Sequence, residues 1–208
     1  MFYAVLYNKI KDAYYGKPVY PQRIQYKDYT FWVKKQQNAE AEYWKNKTVS
    51  YAGSLIYADF KRPLIQTFQA EKISHHLDKK TIEKLAMVNN TTIYKLLLSQ
   101  FIILLHKYIH EDNIQIGTIT SGRTHPDIQN TLGMFVNTLP FIQSVSDEDT
   151  LKETLIKTEK EISNLFANQN YTIDQIIADH KIPISDSQNP LFNILFLQNT
   201  SDNFESNV

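Results

Sequence analysis

The stretch from Thr92 to Ile109 constrains the fold of this chain more than any other part of the sequence. Its large apolar residues recur at helical spacing and cover most of the circumference: Leu96, Leu97, Phe101, Leu104, Leu105 and Tyr108. A helix with so wide an apolar surface needs neighbours on several sides, so we expect it to be mostly buried. Ser99 and Gln100 interrupt the run, which is too short to cross a bilayer.

Other predicted elements alternate between helix and strand. The spacing of apolar residues predicts further helices over Phe2–Tyr15, Gln25–Trp44, Asp78–Val88 and Thr150–Asn168. Alternating or continuous apolar runs predict strands over Thr67–Leu77, Asn113–Thr120, Met134–Val145 and Leu191–Gln198. Within the second helix, the polar stretch 34–42 is predicted to face solvent. Strands separated by helices indicate an α/β fold.

Composition excludes several functions. The 208 residues carry a formal net charge of zero and no cysteine. Disulfides, thiolate zinc sites and cysteine nucleophiles are therefore impossible. Neutral charge also removes the usual electrostatic reason for nonspecific binding to nucleic acid or to anionic membranes. The N-terminus lacks a signal-peptide pattern, so we expect a cytoplasmic protein that binds neither nucleic acid nor membrane.

Two local groups contain residue types that are common in metal sites or catalytic triads. His75 and His76 are adjacent, so on a strand they point to opposite faces and cannot easily hold one metal ion. Ser121, His125 and Asp127 are the types of a hydrolase triad, but such triads are assembled from distant segments. We therefore predict neither a metal site nor a hydrolase.

Gly122 and Arg123 follow the predicted strand that ends near Thr120. The glycine is expected to provide a turn, after which Arg123 could reach a carboxylate or phosphate, or could form a surface salt bridge. Both alternatives stay open at this point. The glycines of this region lack the spacing and the lysine of a phosphate-binding loop.

A string of aromatic and acidic residues lies in the second predicted helix. Tyr26, Asp28 and Trp32 occupy the fixed positions of a Y-x-D-[FY]-A-V-W motif, from which Thr30 and Phe31 depart. Further motif-like strings follow in order at Glu42–Trp44, Asp59–Pro63 and Gly122–Arg123.

The most specific string spans Leu132–Pro140. Five of its residues match an I-G-x-F-V-N-T motif: Gly133, Phe135, Val136, Asn137 and Thr138. Next come Asn168–Asp174, a degraded form of H-Q-D-Y-P-F-E, and Asn189–Leu191, which keeps the end of R-D-x-S-R-N-P-L. The collinear order of these strings over nearly the whole chain resembles the condensation domains of nonribosomal peptide synthetases.

The resemblance implies a chloramphenicol-acetyltransferase-like fold of two lobes around a tunnel. Peptidyl carrier proteins of a synthetase would deliver phosphopantetheine-bound substrates, and an amine would attack a thioester to form an amide. The domain itself would bind no cofactor. The motif residues named above would line the tunnel or support it, with Asp28 fixing backbone or an arginine and Trp32 packing inward.

Catalysis in this family centres on an H-H-x-x-x-D-G motif of the first lobe. His75-His76 imitates its first letters, but Lys80 and Thr81 stand where Asp and Gly are required. We therefore expect residues 1–208 to be a partial condensation domain, mostly the second lobe, without the first lobe or the final segment and inactive alone. The alternatives are a noncatalytic module that docks a carrier protein and a fragment of another acyltransferase of the superfamily.

Overall fold

A computed structural model describes residues 2–18, 20–47 and 49–199. Its helices are α1 Phe2–Tyr14, α2 Tyr26–Asn46, α3 Lys79–Val88, α4 Ile93–Ile109, α5 Leu151–Ala167 and α6 Ile173–Asp179. The strands are β1 Asn113–Thr120, β2 Asn137–Ser144 and β3 Leu195–Phe196, and a 3₁₀ helix covers Pro126–Ile128. This mixture confirms the expected α/β class.

The three strands form one sheet in the order β2-β1-β3. β1 pairs antiparallel with β2, so that Asn113 lies opposite Ser144 and Thr120 opposite Asn137. β1 also pairs in parallel with β3. The central strand β1 is almost entirely buried, as its run of isoleucines predicts.

The core lies where α4 and α5 pack together and against the sheet. It contains the fully buried residues Leu98, Ile102, Ile114, Ile116, Leu139, Phe141, Ile162 and Leu165. α4 is less buried than its composition predicts, since Leu104 and Tyr108 are 60% and 62% exposed. α5, α3 and β1 cover only part of its circumference, so that expectation is corrected here.

Side chains at the helix starts account for the boundaries. Asp78 accepts a hydrogen bond from the N–H of Thr81 at 3.1 Å, as expected of a residue that caps α3. Thr150 caps α5 in a reciprocal arrangement with Glu153. The same arrangement at Thr172 begins α6, a short helix that sequence periodicity did not predict.

One strand prediction is wrong, and another is too long. Residues 67–77 form no strand, and Phe68 and Ile73 are exposed. No described strand lies beside this segment to accept its backbone hydrogen bonds, and alternation alone does not make a sheet. The last predicted strand shrinks to Leu195–Phe196, while Leu191 and Phe192 are buried in the core as part of a loop.

Among the described helices, none has by itself the length and apolar composition needed to cross a membrane. α3 and α4 meet that test only as a pair, with a bend of 94° between them.

Candidate functional site

The first turns of α2 contact the segment that leads into β2. The ring of Phe135 lies 5.1 Å from that of Tyr26, edge to face, and 4.7 Å from that of Tyr29. The Tyr26 hydroxyl also donates to the carbonyl of Met134 at 2.7 Å. We call these three rings the aromatic cluster. The cluster joins two motif strings that are distant in sequence, since the hydrogen bond from Tyr26 to Met134 spans 108 positions.

Two glycines allow the backbone to approach this cluster. Gly122 has φ +62°, and a Cβ there would overlap the carbonyl oxygen of Phe135 and lie 2.8 Å from its carbonyl carbon. At Gly133 a Cβ would collide with the ring of Tyr26. Close packing accounts for the absence of a side chain at both motif positions.

Arg123 lies beneath the aromatic cluster. Its guanidinium carbon lies 4.3 Å from the ring centre of Phe135. Nη1 donates to the carbonyls of Gln129 at 3.1 Å and Thr131 at 2.9 Å, and also to that of Ile128. Burial lowers the pKa of Arg123 from its usual value. Among the described residues Arg123 pairs with no carboxylate, and it closes its own loop through backbone carbonyls.

Asn137 and Thr138 stand at the start of β2. The Asn137 side chain donates to the carbonyls of Gln169 at 2.9 Å and Tyr171 at 2.8 Å, which ties β2 to the loop before α6. Thr138 pairs with Ile119 across the sheet. Tyr26, Gly122, Phe135 and Asn137 line one cavity of about 220 Å³, so four motif residues meet at a single surface.

Asp28 and Trp32 differ in what they do. The Asp28 carboxylate accepts from the N–H of Gln25 at 2.9 Å and so holds the start of α2. Trp32 is 43% exposed, so the expectation that it packs inward is wrong. The buried tryptophan of this helix is Trp44, three turns further along, because the core meets α2 only near its C-terminal end.

Glu40 is a buried carboxylate that sequence reasoning missed. It lies in the polar stretch 34–42 that was predicted to face solvent, yet it is only 8% exposed. Oε1 accepts from Asn170 Nδ2 at 2.9 Å, while Oε2 has no hydrogen-bond partner within the described ranges. Burial raises the pKa of Glu40, although hydrogen bonds from Asn170 and Tyr171 oppose the shift. The sequence contains no signal for this, because the burial comes from a distant loop.

We expect Glu40 to make folding stability depend on pH. Its raised pKa means that the folded state holds the proton more tightly than the unfolded state does. This stabilisation is complete below the usual glutamate pKa and is lost as the pH rises through the raised value. Glu40→Gln keeps the acceptor for Asn170 but cannot ionise, so the variant should gain stability relative to wild type as the pH rises.

Urea unfolding of both proteins between about pH 4 and about pH 8 measures this difference. The exposed Glu42 on the same helix supplies the matched control Glu42→Gln. A difference between wild type and Glu40→Gln that stays constant over the range would contradict the prediction.

The structure shows the surroundings of the two local groups that the sequence singled out, the histidine pair and the serine, histidine and aspartate group. His75 and His76 are exposed, and the described residues contain no group of three or more potential metal ligands. His125 Nδ1 accepts from the N–H of Asp127 at 3.2 Å and thereby caps the 3₁₀ helix. Ser121 Oγ accepts from the N–H of Arg123 at 3.4 Å. These contacts are local and do not form a catalytic relay.

Comparison with solved structures shows the fold. The chain overlays 93% of its length on the X-domain in a complex with OxyB from teicoplanin biosynthesis, with a TM-score of 0.82 and 18% identity. It also overlays 78% of its length on a four-domain nonribosomal peptide synthetase bound to AMP and glycine, with a TM-score of 0.72 and 24% identity. The overlays cover 47% and 13% of those chains. They confirm the fold class that the motif strings implied.

Comparison with known sequences shows the family. Surfactin synthase subunit 1 of Bacillus subtilis (strain 168) is 32% identical over 95% of this chain, and gramicidin S synthase 2 of Brevibacillus brevis is 33% identical over 98%. The chain spans only 6% and 5% of these two relatives. A family model described as Condensation domain matches residues 3–207. The chain belongs to the condensation domain family of nonribosomal peptide synthetases.

Proposed function

We propose that this chain forms the second lobe of a condensation domain that joins carrier-bound thioesters and amines through an amide bond. The observation that carries the proposal is the family match over residues 3–207. The overlay on less than half of the X-domain chain supports a single lobe of two. The relatives of this chain are synthases of surfactin and gramicidin S, in which carrier proteins would be the partners.

Amide formation requires a group that orients or deprotonates the attacking amine. The H-H-x-x-x-D-G motif does not occur in the 208 residues, and the exposed pair His75-His76 lies in a segment without helix or strand. The base would therefore come from a first lobe. This chain would supply one wall of the tunnel, on which substrates are positioned.

The cavity beside the aromatic cluster is the best candidate for that wall. Its residues are held by contacts between distant segments: Tyr26 to Met134 and Asn137 to the loop at 169–171. Rigid support of this kind is what positioning of a reacting group requires. The phosphopantetheine arms would belong to the carrier proteins and carry the substrates. They would not be cofactors of this chain.

The proposal is tested by assembling the domain from two polypeptides. The chain is coexpressed with a family first lobe that carries H-H-x-x-x-D-G, and the complex is given an aminoacyl-loaded donor carrier and an aminoacyl-loaded acceptor carrier. We expect a dipeptidyl carrier by intact mass from the complex and none from either polypeptide alone. Replacing the second motif histidine by alanine should slow the reaction by about 10²–10⁴-fold. Turnover by the chain alone at the rate of the complex would refute the proposal.

A noncatalytic binding module is the second candidate. The X-domain that this chain overlays with a TM-score of 0.82 is described in complex with another protein, OxyB. A stable complex with the first lobe or with a carrier protein, but without dipeptide, would support this candidate and contradict the first.

A further inference from the structure

A second cavity shares Tyr29 with the one lined by the motif residues. It has a volume of about 250 Å³ and opens between the start of α2 and the 3₁₀ helix. Ile24 and Ile128 form its aliphatic lining, and the rings of Tyr29 and Trp32 form an aromatic wall. The cavity is therefore mostly apolar and large enough for a small organic molecule.

The aromatic wall is suited to a cation. The ring centres of Tyr29 and Trp32 are 6.1 Å apart, and the rings are tilted by 34°, so they form a continuous surface. Trp32 is 43% exposed, although an indole of this size is usually more buried. Indole and phenol rings attract cations over their faces, and the attraction grows as water is excluded.

Two carboxylates give the cavity a negative edge. Asp28 is held in place by the N–H of Gln25 at 2.9 Å, so little reorganisation is needed before it meets a ligand. Asp127 is the second acidic lining residue, and its nearest cation is Arg23 at 3.6 Å, whose side chain is 88% exposed. His125 lies 3.8 Å from the same carboxylate. An exposed arginine at that distance screens Asp127 only weakly.

We propose that this cavity binds a primary ammonium group carried on an aromatic or aliphatic chain. The apolar chain packs against Tyr29, Trp32 and the two isoleucines, and the ammonium faces the carboxylates of Asp28 and Asp127. An anion of the same shape meets two negative charges, and a neutral analogue loses the attraction of both carboxylates and rings. The inference rests on the geometry of the cavity and does not depend on the proposed condensation function.

Three molecules of nearly equal shape test the proposal: phenethylammonium, 2-phenylethanol and phenylacetate. Titration calorimetry on the full chain should show that the ammonium binds about tenfold more tightly than the alcohol, the sum expected of one cation–π contact and exposed ion pairs. Phenylacetate should bind more weakly than the alcohol. Added salt should weaken only the binding of the ammonium towards that of the alcohol.

Variants assign the binding to this cavity. Trp32→Ala should weaken phenethylammonium binding by about fivefold or more, while Tyr108→Ala, an exposed aromatic residue on α4, should have no effect. Asp28→Asn together with Asp127→Asn keeps the shape of both side chains and should reduce the preference for the ammonium over the alcohol to the roughly two- to fivefold that the aromatic rings supply. Thermal melts show whether each variant is folded.

Three results would overturn the proposal. Equal affinity for the three molecules would mean an apolar cavity without preference for charge. Tighter binding of phenylacetate would mean that the positive charge of Arg23 outweighs the negative charges of the carboxylates in the cavity. Binding of phenethylammonium that survives both Trp32→Ala and the double Asn variant would place the site elsewhere in the protein.

Discussion

Replacing Trp44 by alanine will lower the free energy of unfolding by about 3–5 kcal/mol. The side chain is fully buried in the main core, where its ring lies 5.1 Å from that of Tyr43. Its Nε1 also donates to the carbonyl of Asn168 at 3.0 Å. The substitution therefore opens a cavity and leaves a partly buried carbonyl without its donor. Urea unfolding monitored by circular dichroism measures the loss.

Trp32→Ala is the matched control, since it removes the same side chain from the same helix. Because Trp32 is 43% exposed and outside the main core, we expect a loss below about 1 kcal/mol. Equal losses for the two variants would mean that burial does not distinguish these tryptophans, which would contradict the packing described here.

Gly122→Ala should destabilise the fold by about 2–5 kcal/mol, for two reasons that add. At φ +62° an alanine adopts a left-handed conformation that costs about 1–2 kcal/mol. The new Cβ would also overlap the carbonyl oxygen of Phe135, and overpacking adds about 1–3 kcal/mol. The clash is with backbone and cannot be relieved by rotating a side chain, so the aromatic cluster and the loop closed by Arg123 must shift.

Gly16→Ala separates the two contributions. Gly16 has φ +70°, and a Cβ there would have no atom within 4 Å. This variant should therefore show only the conformational cost of about 1–2 kcal/mol. Thermal unfolding of both variants measures the difference. Equal destabilisation would show that the close approach of Gly122 to Phe135 contributes nothing, and that the motif glycine serves only the turn.

The helices could be predicted well because their signals are local. Apolar spacing located α4 within a residue of its observed bounds, and Asp78 was recognised as the cap of α3. A helix satisfies its own backbone hydrogen bonds, so its existence depends mainly on nearby residues. The strand prediction over 67–77 was wrong because a strand needs a neighbour, and sequence spacing does not say whether one is present.

The candidate site shows the same division. The order of the motif strings identified the family, and the motif residues Tyr26, Gly122 and Phe135 do meet in the structure. The sequence could not predict the structural role of each motif residue, because that role depends on which atoms of another segment lie beside it. Arg123 illustrates this: its partners are carbonyls of its own loop, whereas sequence chemistry suggested carboxylates or phosphates.

By itself, the sequence determined the α/β class, the position of the long helices, the family and the lack of the histidine motif. Only the tertiary structure decided which tryptophan of α2 is buried, that Glu40 is hidden beside Asn170, and that Trp32 borders an open cavity. The physical reason is that helix formation depends on neighbouring residues, and the order of the motifs is read directly along the chain. Burial and electrostatic environment are set by elements that are distant in sequence and close in space.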